Sequence, residues 1–273
     1  MDIFKHLKDN KEALIAEKKF KVKQADAVSY NVPLLNNRNT ASKSDVTDAN
    51  ADIETIKAQV VINTTNILDS HGDVHIPGIW NKSLKELKRV YLLQEHQMQF
   101  DKIITDVVKP SVKTISWSDL GFPEFKGSTQ ALIFDCEINS DRNEYMFEQY
   151  LKGYVNNHSV GMQYVNLFLC INSDELYYKE ERANWDKYIS EVVNSDKAIE
   201  QGYFWAVTEA KIVEGSAVPI GSNYATPTIS VNITQNIEAD NITSSKNEPL
   251  NNTQETKQTI NYNYLLKTIK QKS

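Results

Sequence analysis

Ser159 and His96 have the residue types and settings that nucleophilic hydrolysis requires. Ser159 follows a predicted helix that ends at Gly153 and precedes a predicted strand, so its hydroxyl is a candidate nucleophile. His96 follows a separate apolar run, and an imidazole with a pKa of about 6.5 can accept a serine proton at neutral pH. His158 adjoins the serine, but neighbours on an extended chain point to opposite faces, which makes it a poor base for Ser159. Gly161 lets another backbone approach closely, which suits a bound substrate.

A second group of residues offers a different chemistry. On a regular strand His71, Asp73 and His75 would share one face, and two imidazoles with a carboxylate can bind a catalytic metal. Gly72 and the following Pro77-Gly78 favour an irregular strand end instead. A metal-dependent hydrolase is therefore the less favoured alternative.

The elements that must position these residues follow from hydrophobic periodicity. The clearest helix runs from Asp141, its predicted N-cap, to Tyr154. Within the predicted strand 131–138, apolar residues alternate with acidic ones, which predicts one buried face. Further strands are predicted at 59–63, 91–93, 164–171 and 204–218, and helices at 83–90 and within 172–201. Strands with interposed helices indicate an α+β protein built on an antiparallel β-barrel surrounded by helices.

The two ends of the chain differ from its middle. Residues 1–54 comprise a basic segment with apolar residues at helical spacing, followed by a polar linker. The helix is either a solvated helix with a small core contact or a docking element for an assembly partner. Residues 232–273 are rich in asparagine and predict a disordered tail. The sequence thus predicts one domain over 55–231, with a flexible N-terminal arm and C-terminal tail that the fold does not need.

Composition excludes several classes of protein. The formal net charge of -6 argues against a general nucleic-acid binder, because phosphate contacts need a concentrated basic face. No apolar run reaches the length that spans a bilayer, and the start of the chain lacks the apolar stretch of a signal peptide, so we expect a cytoplasmic protein without a membrane partner. Cys136 and Cys170 are predicted to be reduced core residues. No cofactor is implied.

Four blocks in fixed order, between Ala58 and Pro227, resemble the prohead (capsid maturation) serine proteases of tailed phages, which are related to the herpesvirus assembly proteases. They are the segment 67–80 with its aspartate, glycine-aspartate and proline-glycine, the segment around His96, the segment 150–162 with Ser159, and the segment 208–219. Met162 replaces an aromatic residue, and the segment 221–225 replaces a proline-alanine turn.

The resemblance implies a herpesvirus-protease-like barrel and a serine endopeptidase with Ser159 as nucleophile and His96 as base. The orienting third residue is Glu214, the position that best matches, or Asp73 as its rival. The implied substrates are scaffold and capsid-protein extensions, cleaved in the host cytoplasm inside an assembling procapsid. Self-cleavage and a homo-oligomer are further expectations. The alternative from another class is a catalytically silent capsid-assembly scaffold protein.

Overall fold

The computed structural model of the protein describes residues 2–20 and 53–233. Strands dominate this part of the chain. They are β1 (Thr55–Thr64), β2 (Asp73–His75), β3 (Leu92–Gln94), β4 (Ile103–Thr105), β5 (Val107–Ser116), β6 (Ser128–Asn139), β7 (His158–Ile171), β8 (Tyr203–Ala217) and β9 (Thr228–Ile233). The α-helices of the same residues are α1 (Ile3–Asp9), α2 (Lys11–Phe20), α3 (Asn81–Glu86), α4 (Glu144–Leu151), α5 (Lys179–Tyr188) and α6 (Ser195–Gln201).

The strands form two sheets. The first is antiparallel, with the order β5-β6-β1-β9. In the second, β8 pairs along its length with β7 in antiparallel fashion. The other side of β8 pairs in parallel with β2 at one end and with β3 at the opposite end, and β4 lies beyond β3. The long strand β8 therefore lies between β7 on one side and both β2 and β3 on the other.

The predicted α+β class is confirmed, with more strand than helix. The predicted barrel is not seen in closed form, because the pairings of the described residues give two separate sheets. The second sheet is also mixed rather than antiparallel, since β2 and β3 run parallel to β8.

The main core lies where the two sheets pack together. The predicted buried face of β6 is confirmed, because Leu132, Phe134, Cys136 and Ile138 all lie in this core. Gly215 of β8 faces the same core, and a Cβ there would lie 2.6 Å from the ring of Phe134. A side chain at 215 would push the sheets apart, so glycine is required by their close approach.

Two predicted boundaries near the candidate serine are wrong. Helix α4 begins at Glu144 and is capped by Asn143, whose side-chain oxygen accepts a hydrogen bond from the Met146 amide at 3.0 Å; Asp141 is not the cap. Strand β7 begins at His158 rather than at Tyr164, so Ser159 lies inside a strand.

The N-terminal helices pack onto the body of the protein. Leu7 is buried in the main core, and Lys8 and Lys11 donate to the buried carboxylate of Glu181 at 2.7–2.9 Å. The predicted helical character is confirmed, although Asn10 divides it into α1 and α2. The expectation of a flexible arm without a role in the fold is wrong for residues 2–20, because their removal would uncover buried charges.

A second lysine of this segment reaches the sheet. The Lys18 ammonium lies 2.6 Å from Oδ1 of Asp73, a fully buried residue, and the hydroxyl of Tyr164 donates to Oδ2 at 2.6 Å. Lys18 also stands over the rings of Tyr164 and Trp205, with its Nζ 5.9 and 5.3 Å from their centroids. The buried Asp73 is thus neutralised by a distant part of the chain.

The predicted linker lies almost wholly outside the described residues, as does most of the predicted tail. The first residues of the predicted tail, 232 and 233, belong to β9, so the folded region extends slightly beyond the predicted domain boundary at 231. Within residues 2–20 and 53–233, none of the helices has the length and apolar content needed to cross a bilayer.

Replacing Lys18 with methionine should destabilise the protein by about 3–5 kcal/mol, because it removes an ammonium group that pairs with a buried carboxylate. Urea unfolding of the full chain measures this. The matched control is Lys5→Met, since Lys5 pairs with Asp9 at the surface and its loss should change stability little. Equal effects of the two variants would contradict the docking of α2 onto Asp73.

Stability should depend on pH through Glu181. Burial alone raises the pKa of this carboxyl, but hydrogen bonds from Lys11 and Lys8 outweigh burial and hold the pKa below its usual 4.5. A lowered pKa stabilises the fold above the unfolded-state value, and this contribution is lost as pH falls through the folded-state value. Glu181→Gln should therefore cost about 1–3 kcal/mol at pH 7 and progressively less below pH about 4. Glu180→Gln is the control, because Glu180 contacts the same Lys11 but is 68% exposed. If the stability difference between Glu181→Gln and the wild type did not shrink in acid, this role of Glu181 would be refuted.

Candidate active site

A tight turn at the end of β3 presents His96. Glu95 and His96 both have left-handed backbones, with φ of 52° and 58°, and the Gln97 amide donates to the Gln94 carbonyl at 3.0 Å. Consecutive positive φ values in the centre of such a turn are typical of type I′. They are unfavourable for residues other than glycine and asparagine, and such conformations concentrate at functional sites. The turn is held to the neighbouring strand β8, because the Glu95 amide donates to the carbonyl of Ala217 at 2.9 Å.

A buried carboxylate orients the imidazole of His96. Oε1 of Glu214 lies 2.6 Å from Nδ1 of His96, and the hydroxyl of Ser216 donates to Oε2 at 2.6 Å. Ser216 in turn accepts a hydrogen bond from the His96 amide at 3.0 Å. Because a carboxylate only accepts hydrogen bonds, Nδ1 is the nitrogen that donates, and in a neutral imidazole the lone pair is then on Nε2. The arrangement fixes the tautomer that a general base needs.

Ser159 lies on the neighbouring strand, on the same face of the sheet. It stands directly opposite Ser216 in the β7–β8 register, and Gly161 stands opposite Glu214. Side chains of directly opposed residues share a face, with Cβ atoms about 5 Å apart. The structure therefore brings His96 and Glu214 into direct contact. It places Ser159 on the strand next to Glu214, with β8 between β7 and the strand β3 that leads into the His96 turn. All three residues are buried.

The absence of a side chain at 161 makes room for Glu214. A Cβ at Gly161 would lie 2.0 Å from Oε1 and 2.7 Å from Cδ of that carboxylate. We interpreted Gly161 from the sequence as a residue that lets a substrate backbone approach. The structure shows instead that this glycine makes room for the carboxylate of Glu214, which contacts His96.

His158, the rejected base, has a structural role. Its Nε2 lies 2.9 Å from the hydroxyl of Tyr150 and its Nδ1 lies 3.0 Å from the carbonyl of Thr226. Burial lowers the pKa of His158 to about 4, with the Thr226 hydrogen bond acting in the opposite direction. The imidazole is therefore neutral at physiological pH and ties β7 to the segment before β9.

Asp73, the rival orienting residue, lies at the other end of the sheet. It pairs with Trp205 on β8, whereas β3 and the His96 turn meet β8 at residues 215–217. Ten residues of strand correspond to about 30 Å at about 3.3 Å per residue. Asp73 contacts Lys18 and Tyr164 instead, which favours Glu214 as the orienting residue.

The predicted metal-ligating group is only partly assembled. Ligand atoms of Asp69, His71 and Asp73 lie within 4.8 Å of one another, whereas His75 contacts Asn63 at 2.8 Å. The ammonium of Lys18 already occupies Oδ1 of Asp73, so a cation would have to displace it. The two cysteines are buried and not disulfide-bonded, as predicted, and burial raises the pKa of both thiols, which makes them poor nucleophiles.

Ser216 is the participant that the sequence did not assign. It belongs to the segment 208–219 of the family resemblance, but only the structure shows that its hydroxyl joins Glu214 to the His96 backbone. The signal available in the sequence was the i, i+2 spacing of Glu214 and Ser216, which places both on one face of a strand.

Comparison of the chain with protein-family models, with curated proteins and with solved structures gave no match.

Gly161→Ala should displace the Glu214 carboxylate and destabilise the protein by about 1–3 kcal/mol, because the new methyl group overlaps it. Chemical denaturation measures the cost, and the imidazole NMR signals of His96 should shift. In a Glu214→Ala background the same change should cost much less, since the overlap is gone. Additive costs in this double-mutant cycle would contradict the assigned contact.

Proposed function

We propose that the protein is a prohead serine endopeptidase, with Ser159 as nucleophile, His96 as general base and Glu214 as the residue that orients the base. The observation that carries the proposal is the buried pair of His96 and Glu214 on the same face as Ser159. A structural role alone would not require an imidazole whose Nδ1 is fixed by a carboxylate in an unfavourable turn.

The chemistry follows from the two nitrogens of the imidazole. Nε2 of His96 takes the proton from the Ser159 hydroxyl as the serine oxygen attacks the scissile carbonyl carbon. Glu214 stabilises the imidazolium that forms, and this imidazolium gives its proton to the leaving amine. An acyl-enzyme remains on Ser159, and water activated by the same imidazole releases the carboxylate product and restores the hydroxyl.

The proposed substrates are scaffold and capsid-protein extensions, cleaved in the host cytoplasm inside the assembling procapsid. The family resemblance over residues 58–227 supports this choice. We extend the proposal to the fold, with the two sheets corresponding to the halves of the family's barrel. Self-cleavage and a homo-oligomer belong to the same proposal.

Ser159→Ala and His96→Ala should each reduce cleavage by about 10⁴-fold or more, because nucleophile and base act as one unit. Glu214→Gln should be less severe, since a misoriented imidazole still accepts a proton part of the time. The measurement is co-expression with a major capsid protein of a tailed phage, followed by mass spectrometry of both chains. Circular dichroism verifies that each variant is folded.

Ser118→Ala is the matched control, because Ser118 is exposed and should be dispensable. Asp73→Asn should lower stability while leaving turnover per folded molecule unchanged. Cleavage that survives in Ser159→Ala would refute the nucleophile. A folded wild type that cleaves neither itself nor the capsid protein would favour the alternative of a catalytically silent capsid-assembly scaffold protein.

A further inference from the structure

We propose that Met98 and Phe100 form a subsite that binds an apolar side chain of the polypeptide substrate, within about four residues of the scissile bond. This inference rests on the proposed function. Both residues belong to the loop that joins β3 to β4 immediately after His96. Phe100 is 90% exposed and Met98 is 55% exposed, so neither contributes much to the core.

Hydrogen bonds hold the backbone of the loop, which suits a binding surface. Backbone hydrogen bonds within it join the Gln99 amide to the Gln97 carbonyl at 2.9 Å and the Lys102 amide to the Gln99 carbonyl at 3.0 Å. The side chain of Asn143 donates to the carbonyl of Asp101 at 3.2 Å and so fastens the loop to the start of α4. A loop whose backbone is already ordered loses less conformational entropy when a ligand covers it.

The position of the loop in the sequence sets an upper limit on its distance from His96. Phe100 lies four positions after His96, a span of at most about 14 Å, and Met98 lies within about 7 Å by the same measure. A substrate bound in extended form at Ser159 advances about 3.3 Å per residue. A side chain up to about four positions from the cleaved bond can therefore reach Met98 and Phe100.

The area of the surface favours a single side chain over a second copy of the protein. Tyr145, two residues after Asn143, adds a third exposed apolar side chain at 63%. Aromatic side chains bury about 150–250 Å² each, so the three together stay below the about 800 Å² per partner of a stable interface. One leucine, methionine or aromatic side chain of an extended peptide matches this area.

The test uses the full-length protein and a library of peptides from a digested proteome, with cleavage sites read by mass spectrometry. The wild type should enrich a large apolar residue at one fixed position within four residues of the cut. The double variant Met98→Ser/Phe100→Ser should lose this enrichment and cleave such peptides about tenfold less efficiently in kcat/KM. Phe100→Leu should keep the preference. Leu176→Ser is the control, because Leu176 is 84% exposed and follows the far end of β7.

Labelling with a fluorophosphonate separates the two proposals. If Ser159 is labelled in both the wild type and the double variant while the cleavage preference is unchanged, the subsite is refuted and the protease assignment stands. If the wild type is not labelled at Ser159, the proposed function fails and the subsite fails with it. If sedimentation shows that the wild type self-associates and the double variant does not, the surface is an interface between copies and the subsite is refuted.

Discussion

The register of β7 against β8 determines which side chains meet at the candidate active site. Ser159 and Gly161 stand opposite Ser216 and Glu214, so hydroxyls and carboxylate share one face while Val160 and Gly215 face the core. A slip of one residue would turn each of these side chains to the other face. The register is protected from such a slip, because the core accepts only glycine at 215 and the opposite face accepts only glycine at 161.

Three buried carboxylates, each with its partner from a distant part of the chain, connect the site to the rest of the protein. Glu181 is paired with Lys8 and Lys11, Asp73 with Lys18, and Glu214 with His96. The Glu181 pair holds the N-terminal helices to α5, and the Asp73 pair holds α2 to β2, so both serve folding. Glu214 differs, because its partner is a titratable imidazole and its second oxygen is held by Ser216. In the proposed function this pair orients the base.

Sequence periodicity predicted what depends on local pattern. The alternation in β6 identified its buried face, and the argument from opposite faces excluded His158 as the base. Strand β5 was missed because it contains lysines and a proline and is largely solvent-facing. The turn at Glu95-His96 carries neither glycine nor asparagine, so no turn signal was present.

The remaining errors concern contacts between residues far apart in sequence. Lys18 and Asp73 are 55 positions apart, and no local pattern indicates their ion pair. No local pattern indicates the contact of Gly161 with Glu214 either, because Glu214 belongs to another strand. Choosing between Glu214 and Asp73 also required the sheet topology, because only the pairing of β3 with β8 shows which carboxylate the His96 turn approaches.

The central claim is that the imidazole fixed by Glu214 activates Ser159. The most direct measurement is the rate at which a fluorophosphonate modifies the folded protein, with the modified residue identified by mass spectrometry in the wild type and in His96→Ala. The account predicts rapid modification of Ser159 alone in the wild type and almost none in the variant. Modification of another serine, or equal rates in both proteins, would contradict it.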